Sequence, residues 1–352
     1  MKHQTTRYGE IPFYKIGTFG NTADAFISKK LFLEYQTKYS FPKKGDILIS
    51  ASGTIGRAVI YDGKPAYFQD SNIVWIDNDE TLVKNDFLFY TYSNVKWNTE
   101  HTTILRLYND NFRNTLIPLP PLNEQIAIAD ILSALDNYLH ALNSLILKKE
   151  SVKKALSFEL LSQRKRLKGF NQAWQRVRLG DIANYLTSNL SAEQITQQGK
   201  IKVYDVNNFI GYTNTTFISD KPYISIVKDG SVGRVRILPP KTNILSTMGA
   251  LVANHKTTTE FLFYLLSNFD FKNFTSGSII PHIYFKDYKE KTIFLPPLNE
   301  QIAIANILSA LDNEITSLKN KKRQFENIKK ALNHDLMSTK IRVLEKSVLQ
   351  QK

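Results

Sequence analysis

Residues 119–137 read LPPLNEQIAIADILSALDN, and residues 295–313 read LPPLNEQIAIANILSALDN. The two stretches lie 176 positions apart and differ only at Asp130 against Asn306. A match of that length makes the chain an internal repeat, and its fold has to be read as one. The same offset pairs KKAL at Lys153 with KKAL at Lys329, Leu160 with Leu336, Arg106 with His282, Tyr108 with Tyr284, and Phe112 with Tyr288. Further upstream it slips by one residue, aligning SGTIGR from Ser52 with DGSVGR from Asp229. The order is A-B-A′-B′, in which B and B′ are nearly the same and A and A′ have diverged.

The B segments read as helices. Pro120 and Pro121 end the preceding segment, Asn123 is placed to cap through its side-chain oxygen, and Glu124 sets negative charge at the positive end of the helix dipole. Apolar residues then recur at threes and fours: Ile128, Leu132, Leu135, Leu139, Leu142 and Leu145 in the first, Ile304, Leu308, Leu311, Ile315, Leu318 and Phe325 in the second. Neither run contains Gly or Pro over roughly 40 residues, which predicts rods about 60 Å long. Such spacing kept up over several heptads predicts a coiled coil, the alternative being two amphipathic helices each packed on its own domain. Antiparallel pairing buries two near-identical stripes most simply. It makes Leu132, Leu135, Leu139, Leu142, Leu308, Leu311, Ile315 and Leu318 the expected inter-helix core.

The A segments have another pattern. Residues 41–60, FPKKGDILISASGTIGRAVI, place a turn at Lys44-Gly45, a β-rich run, a Gly-Thr-Ile-Gly loop and a second apolar run; ISIVKDGSVGRVRIL from Ile224 is the counterpart. Short helices are expected at 86–94 and 260–268. The predicted class is α+β: two domains of mixed strands and short helices, separated by two long helices that pair as an antiparallel coiled coil, in a pseudo-twofold repeat. The expected boundaries are 1–118, 119–168 (first long helix), 169–294, and 295–352 (second long helix and C-terminal tail).

Composition narrows the function. The 352 residues carry a formal net charge of +14, which favours a polyanionic partner, nucleic acid ahead of a membrane surface. No cysteine is present, so disulfides and thiolate zinc sites are excluded, and the six histidines lack the pairing a helical metal site needs. No metal site is expected. With no signal core and no run of about 18 apolar residues, the expectation is a cytoplasmic protein with no membrane contact. The chain shows no GxxxxGK[ST] loop, no GxGxxG after a strand, no Gly-x-Ser-x-Gly elbow and no magnesium-nuclease carboxylate set. LPPL also lacks the Asn or Asp with which aminomethyltransferases grip a flipped base. By absence of tools, this reads as a binding protein.

Two unlike heads held by two matched rods suit a rod-like ligand with two half-sites, such as DNA. The layout of variable domain and LPPLNEQIAIA helix, twice over, resembles the specificity (S) subunit of type I restriction-modification systems across essentially the whole chain. GDILISASGTIGR and SIIPHI are also similar to that family's target-recognition domains. The resemblance implies two target-recognition domains, each reading half of a split site in double-stranded DNA, and a helical spacer that sets the gap and docks two modification (M) subunits. It further implies that S-adenosylmethionine, ATP and magnesium belong to partner subunits, the M subunits and the restriction (R) subunits of the full complex, and that this chain has no catalysis of its own. The rival readings are a self-contained DNA methyltransferase or nuclease, and a coiled-coil scaffold.

On this footing the candidate DNA-binding residues are Thr54, Arg57, Ser231, Arg234 and Arg236 in the glycine loops, Thr103, Arg106, Ser278 and His282 in the second loops, and Arg113. The glycine loops read equally as plain strand connections with a surface Arg. The exchange of Arg106 for His282 is what two readers of different sequences need. Asn123, Glu124, Gln125, Asn299, Glu300 and Gln301 are candidates for docking M subunits, or simply helix caps. One departure stands out. IPFYKI from Ile11 matches IKVYDV from Ile201, yet nothing before it matches WQRVRLGDIANY from Trp174. Either the start is truncated or rearranged, or the C-terminal tail IRVLEKSVLQQK supplies a substitute strand.

Overall fold

A computed structural model of the chain describes residues 4–68, 72–97, 106–338 and 340–344. The chain divides into two units, one formed by Met1–Asn143 with Lys321–Lys352 and the other by Ser144–Asn320. In chain order the elements are β1 (Ile11–Tyr14), β2 (Ala25–Ile27), α1 (Lys29–Lys38), β3 (Ile47–Ser50), β4 (Ala58–Ile60), β5 (Tyr67–Phe68), β6 (Ile73–Trp75), α2 (Asn85–Tyr92), α3 (Asn109–Arg113) and α4 (Leu122–Leu161). They continue with β7 (Gln175–Arg178), β8 (Ala183–Thr187), β9 (Ile201–Tyr204), β10 (Phe209–Thr213), β11 (Tyr223–Val227), β12 (Val235–Leu238), β13 (Asn243–Ile244), β14 (Met248–Ala253), α5 (Thr259–Ser267), α6 (Phe285–Tyr288), β15 (Thr292–Leu295) and α7 (Leu298–Met337). The fold is α+β, as expected. The long helices α4 and α7 have 40 residues each, and each contributes one half to each unit.

The first unit carries two three-stranded sheets, β2-β1-β5 and β4-β3-β6. Ser28 starts α1 by accepting from the Leu31 amide. The apolar strand β3 is buried along its length, and Ile47, Ile49 and Ala51 pack with Leu88 and Tyr92 of α2. The second unit repeats this plan with β10-β9-β13 and β12-β11-β14, and it adds β8 beside β14 and the pair β15-β7. Its strand β11 is buried on both faces, and Ile224 and Ile226 pack with Phe261, Leu262 and Leu265 of α5.

Within each unit the two helical halves run antiparallel. In the first, Asp136 receives Lys329 and Asn143 receives Lys322 at 2.9 Å, while the Tyr138 ring packs tilted against Phe325 at 4.7 Å between centroids. In the second, Lys149 pairs with Glu314 at 2.8 Å, Lys153 with Asp312, and Glu150 with Lys319 at 2.6 Å. Lys153–Asp312 and Lys329–Asp136 are the same contact with the repeat offset moved from one partner to the other. Each aspartate also accepts from a tyrosine on a short helix, Tyr90 to Asp136 and Tyr264 to Asp312, both at 2.9 Å. Burial, and then the neighbouring carboxylate, raises both phenol pKa values far above normal.

The leucine stripe is more shared than its spacing suggests. Leu132 and Leu308 are fully buried, but each joins three elements: Leu132 meets Phe87 and Tyr90 of α2 and Leu336 of α7. Leu308 sits in the cluster with Phe261 of α5 and Leu160 of α4. Helix pairing and packing on the domain therefore occur together, and truncating either leucine costs about 2–5 kcal/mol. Leu142 and Ile315 are buried, whereas Leu135, Leu139, Leu311 and Leu318 are half-buried. Leu145 points outward at 39% exposure and Ile146 takes the inward position.

Candidate nucleic-acid interface

Each glycine loop is a tight connection between two antiparallel strands. Gly53 and Gly56 have φ of 66° and 80°, a region that costs an ordinary side chain strain. Packing adds a second demand, because a Cβ at Gly56 would lie 2.4 Å from the Trp97 indole and one at Gly233 would lie 2.6 Å from the Phe271 ring. Gly56 and Gly233 are thus explained by an aromatic ring pressed on the turn. What they leave outward is Thr54 and Arg57 in one loop, Ser231 and Arg234 in the other, all exposed.

In each unit the loop is joined to the second candidate segment. Ser52 forms an isolated bridge to Arg106, and the Leu107 amide donates to the Ala51 carbonyl at 2.8 Å. Asp229 forms the matching bridge to His282, and the Ile283 amide donates to Lys228 at 2.9 Å. Segments more than fifty residues apart therefore share one rim, with Arg106 or His282 at its centre. Arg106 lies 5.9 Å from the Tyr108 ring. His282 stands 2.7 Å through Nδ1 from the Asp229 carboxylate; since an ionised carboxylate can only accept, Nδ1 carries the proton and Nε2 is left for another partner.

The other candidates are placed unevenly. Arg236 is half-buried, with Nη1 donating to the Asn207 carbonyl at 2.9 Å and its guanidinium 5.3 Å from the Tyr204 ring. Arg234 donates to the Asn207 side chain at 2.8 Å, and Arg57 to the Phe19 carbonyl at 2.9 Å. Arg113, exposed at the end of α3, pairs with Asp110 at 3.7 Å. Ser278 is exposed, and beside it Ile279 is 93% exposed. Thr103 lies outside the described residues. Sequence reasoning missed Asp229 and Asn207, which orient His282 and the two arginines; no local pattern links residues so far apart.

The docking assignment needs correction at four positions. Gln125 and Gln301 are wholly buried clasps. Gln125 accepts from the Lys84 amide at 2.8 Å and donates to Leu82 and Pro120 carbonyls, and Gln301 does the same with Thr258, Lys256 and Pro296. Glu300 is fully buried, gripped by Arg166 at 2.6 and 3.1 Å and by the Trp174 indole at 3.0 Å. Glu124 binds Arg342 at 2.7 Å, and the guanidinium holds its carboxyl below the usual range. These side chains are spent internally, because a buried polar group must find its partners within the fold. Asn123 and Asn299 stay exposed in the first turns of their helices, each accepting from the following amide at 3.0 and 2.9 Å.

The expectation of a strand from the C-terminal tail falls mostly on residues 345–352, which lie outside the described residues. Of the rest, Arg342 and Val343 dock where Arg166 and Leu167 do in the second unit, Val343 against the cluster of Phe87 and Leu336. Among the described residues no group of three or more His, Asp or Glu is placed to hold a metal, and no helix is long and apolar enough to cross a membrane.

A family model described as type I restriction modification DNA specificity domain matches residues 1–150 and again 171–327. A putative type I restriction enzyme specificity subunit of Haemophilus influenzae is 64% identical over 133 residues, 38% of this chain and 34% of that protein. The putative MjaX specificity subunit of Methanocaldococcus jannaschii is 30% identical over 335 residues, covering 85% of this chain and 79% of its own length. Among solved structures, the type I restriction-modification S subunit from M. genitalium shares the fold at a TM-score of 0.64 and 20% identity, covering 96% of this chain and 91% of that one.

Proposed function

Given that the chain belongs to the type I restriction-modification DNA specificity family, we propose that its two globular regions each read one half of a bipartite site in double-stranded DNA. The reading carries one main support. Both units build the same rim from a glycine loop bridged to a second segment, and at its centre one presents Arg106 and the other His282. A shared frame with unlike side chains is what two half-site readers require. Arg bidentate to guanine discriminates by about 1–3 kcal/mol, and the surplus of basic residues would supply phosphate contacts. Thr54, Arg57, Arg113, Ser231, Arg234, Ser278 and Ile279 flank or extend these centres; Arg236, half-buried on Asn207, acts as a support for Arg234.

We assign the docking of M subunits to the outer face of the repeated stretch. Internal packing explains why Glu124, Gln125, Ile128 and Leu132 recur unchanged in the second copy. It does not explain why Leu122 and Ile126 recur as Leu298 and Ile302, since these apolar side chains are 38–49% exposed. An identical outer face on each helix suits two copies of one partner. S-adenosylmethionine, ATP and magnesium then belong to the partner subunits, and this chain contributes recognition without catalysis.

The test is methylome sequencing of a host that expresses the chain with its M subunit. A bipartite motif, of which His282→Arg alters one half only, is the expected result. A contiguous motif, or DNA methylation by the purified chain alone, would overturn the assignment.

A further inference from the structure

Residues 276–282 of the second unit turn back on themselves as a short finger. The Ser276 amide donates to the His282 carbonyl at 2.9 Å, and the His282 amide returns a bond to the Ser276 carbonyl at 2.7 Å. The bend is tight, since a Cβ at Gly277 would collide with the Ile280 carbonyl. The finger is also pinned to the glycine loop, because the Gly230 amide donates to the Pro281 carbonyl and the Ile283 amide to that of Lys228, both at 2.9 Å. These bonds hold the base, and the tip they present carries Ile279 at 93% and Ile280 at 55% exposure. Folding gains almost nothing from Ile279, and a β-branched side chain has few rotamers to lose when a ligand covers it.

The repeat itself points to what covers this tip. The outward apolar residues of the long helices, Leu122 and Ile126, recur as Leu298 and Ile302, as a surface for one shared partner must. Ile279 does not recur: Thr103 holds its place in the first copy, three residues before the exchange of Arg106 for His282. An exposed side chain that changes between copies suits the ligand that changes between copies, which is the half-site. Charge agrees with a polyanion, because residues 276–286 contain no acidic residue, Lys286 is exposed beside the Tyr284 ring, and Asp229 is engaged by His282. Ile279 stands three residues from His282, whose Nε2 faces outward for a hydrogen bond, so one groove has to offer an apolar group beside hydrogen-bonding base edges. In duplex DNA the major groove does so, through the C5-methyl group of thymine.

We propose that Ile279 is a specificity-determining residue that packs on the C5-methyl group of a thymine in the second half-site, beside the base edge met by His282. The inference rests on the DNA-reading assignment above and adds to it the base that one side chain selects. Contact takes both apolar groups out of water, whereas cytosine at that place has only a C5 hydrogen and leaves the isoleucine wet.

The test uses the chain in complex with its M subunit and duplexes carrying the bipartite motif that the methylome defines. Each thymine of the half-site altered by His282→Arg is replaced in turn by deoxyuridine, which removes the methyl group and keeps every hydrogen bond. Replacement at one position should weaken competition binding about fourfold, the equivalent of one buried methyl group. Ile279→Ala should bind the thymine and deoxyuridine duplexes equally, and Ile279→Val should keep most of the difference; so exposed a position puts neither variant's folding at risk. Equal binding of every deoxyuridine duplex by the unaltered complex overturns the proposal, as does a difference that survives Ile279→Ala, or a half-site with no thymine on either strand. A rise in 2-aminopurine fluorescence that Ile279→Ala abolishes overturns it in favour of a wedge between base pairs. Tighter binding to 5-methylcytosine, with deoxyuridine tolerated throughout, does so in favour of that base. Failure of the DNA-reading assignment looks different: no bipartite motif emerges, and both readings fall together.

Discussion

Removing the guanidinium of Arg166 should destabilise the second unit far more than removing that of Arg342 destabilises the first, although the two arginines are equivalent in the repeat. Glu300 is completely buried and its arginine is 25% exposed, whereas Arg342 is 51% exposed. Stripping one partner from a buried ion pair costs about 3–5 kcal/mol, because a naked charge is left out of water. The Trp174 indole still donates to Glu300, so the lower end, about 3 kcal/mol, applies to Arg166→Ala. Water can replace much of what Arg342 supplies, so Arg342→Ala should cost far less. For a unit of this size the loss at Arg166 corresponds to a fall in Tm of roughly 6–12 °C, with a clearly smaller fall for Arg342→Ala. Urea unfolding, followed by hydrogen exchange resolved to each unit, measures both. Pairing Arg166→Met with Glu300→Gln keeps an acceptor for the indole and removes the buried charge, and should recover at least half of the loss. Equal losses for the two alanine variants, or no recovery in the double variant, would refute this electrostatic account.

Extending both long helices by one heptad, inserted between Asn143 and Ser144 and between Asn320 and Lys321, adds about 10.5 Å of rod. The gap between half-sites should widen by about 3 base pairs with the half-sites unchanged, which the methylome reads directly. His282→Arg should change a single half-site, while Asp229→Ala, which frees the ring, should weaken preference at that position by up to about tenfold in competition binding. DNA binding by the complex should fall steeply between 50 and 200 mM salt, by about a thousandfold if six phosphates are contacted; a flat response would favour the scaffold reading. The Glu124 carboxyl, held low by Arg342, contributes stability that is present above the unfolded carboxylate range and lost as pH falls through its lowered value. Proteolysis after Arg342 should therefore accelerate only once pH drops below the ordinary carboxylate range.

The repeat alone determines that the chain builds one domain-and-helix plan twice. Hydrophobic spacing is a local property, and eighteen of nineteen residues recurring show that one helical plan is used twice. The same locality explains the failures. Gln125 and Glu300 carry polar side chains at a helix start, where caps and docking residues also live. Only the chain folding back, bringing Lys84 to one and Arg166 with Trp174 to the other, shows that both are buried clasps. Likewise Gly56 looks like a flexible reading loop until Trp97 is found pressed on it. Leu119 and Leu295 hold the same place in the repeat, yet the first is exposed and the second buried. That difference was decided by tertiary structure, because pairing and burial depend on residues that meet only in space.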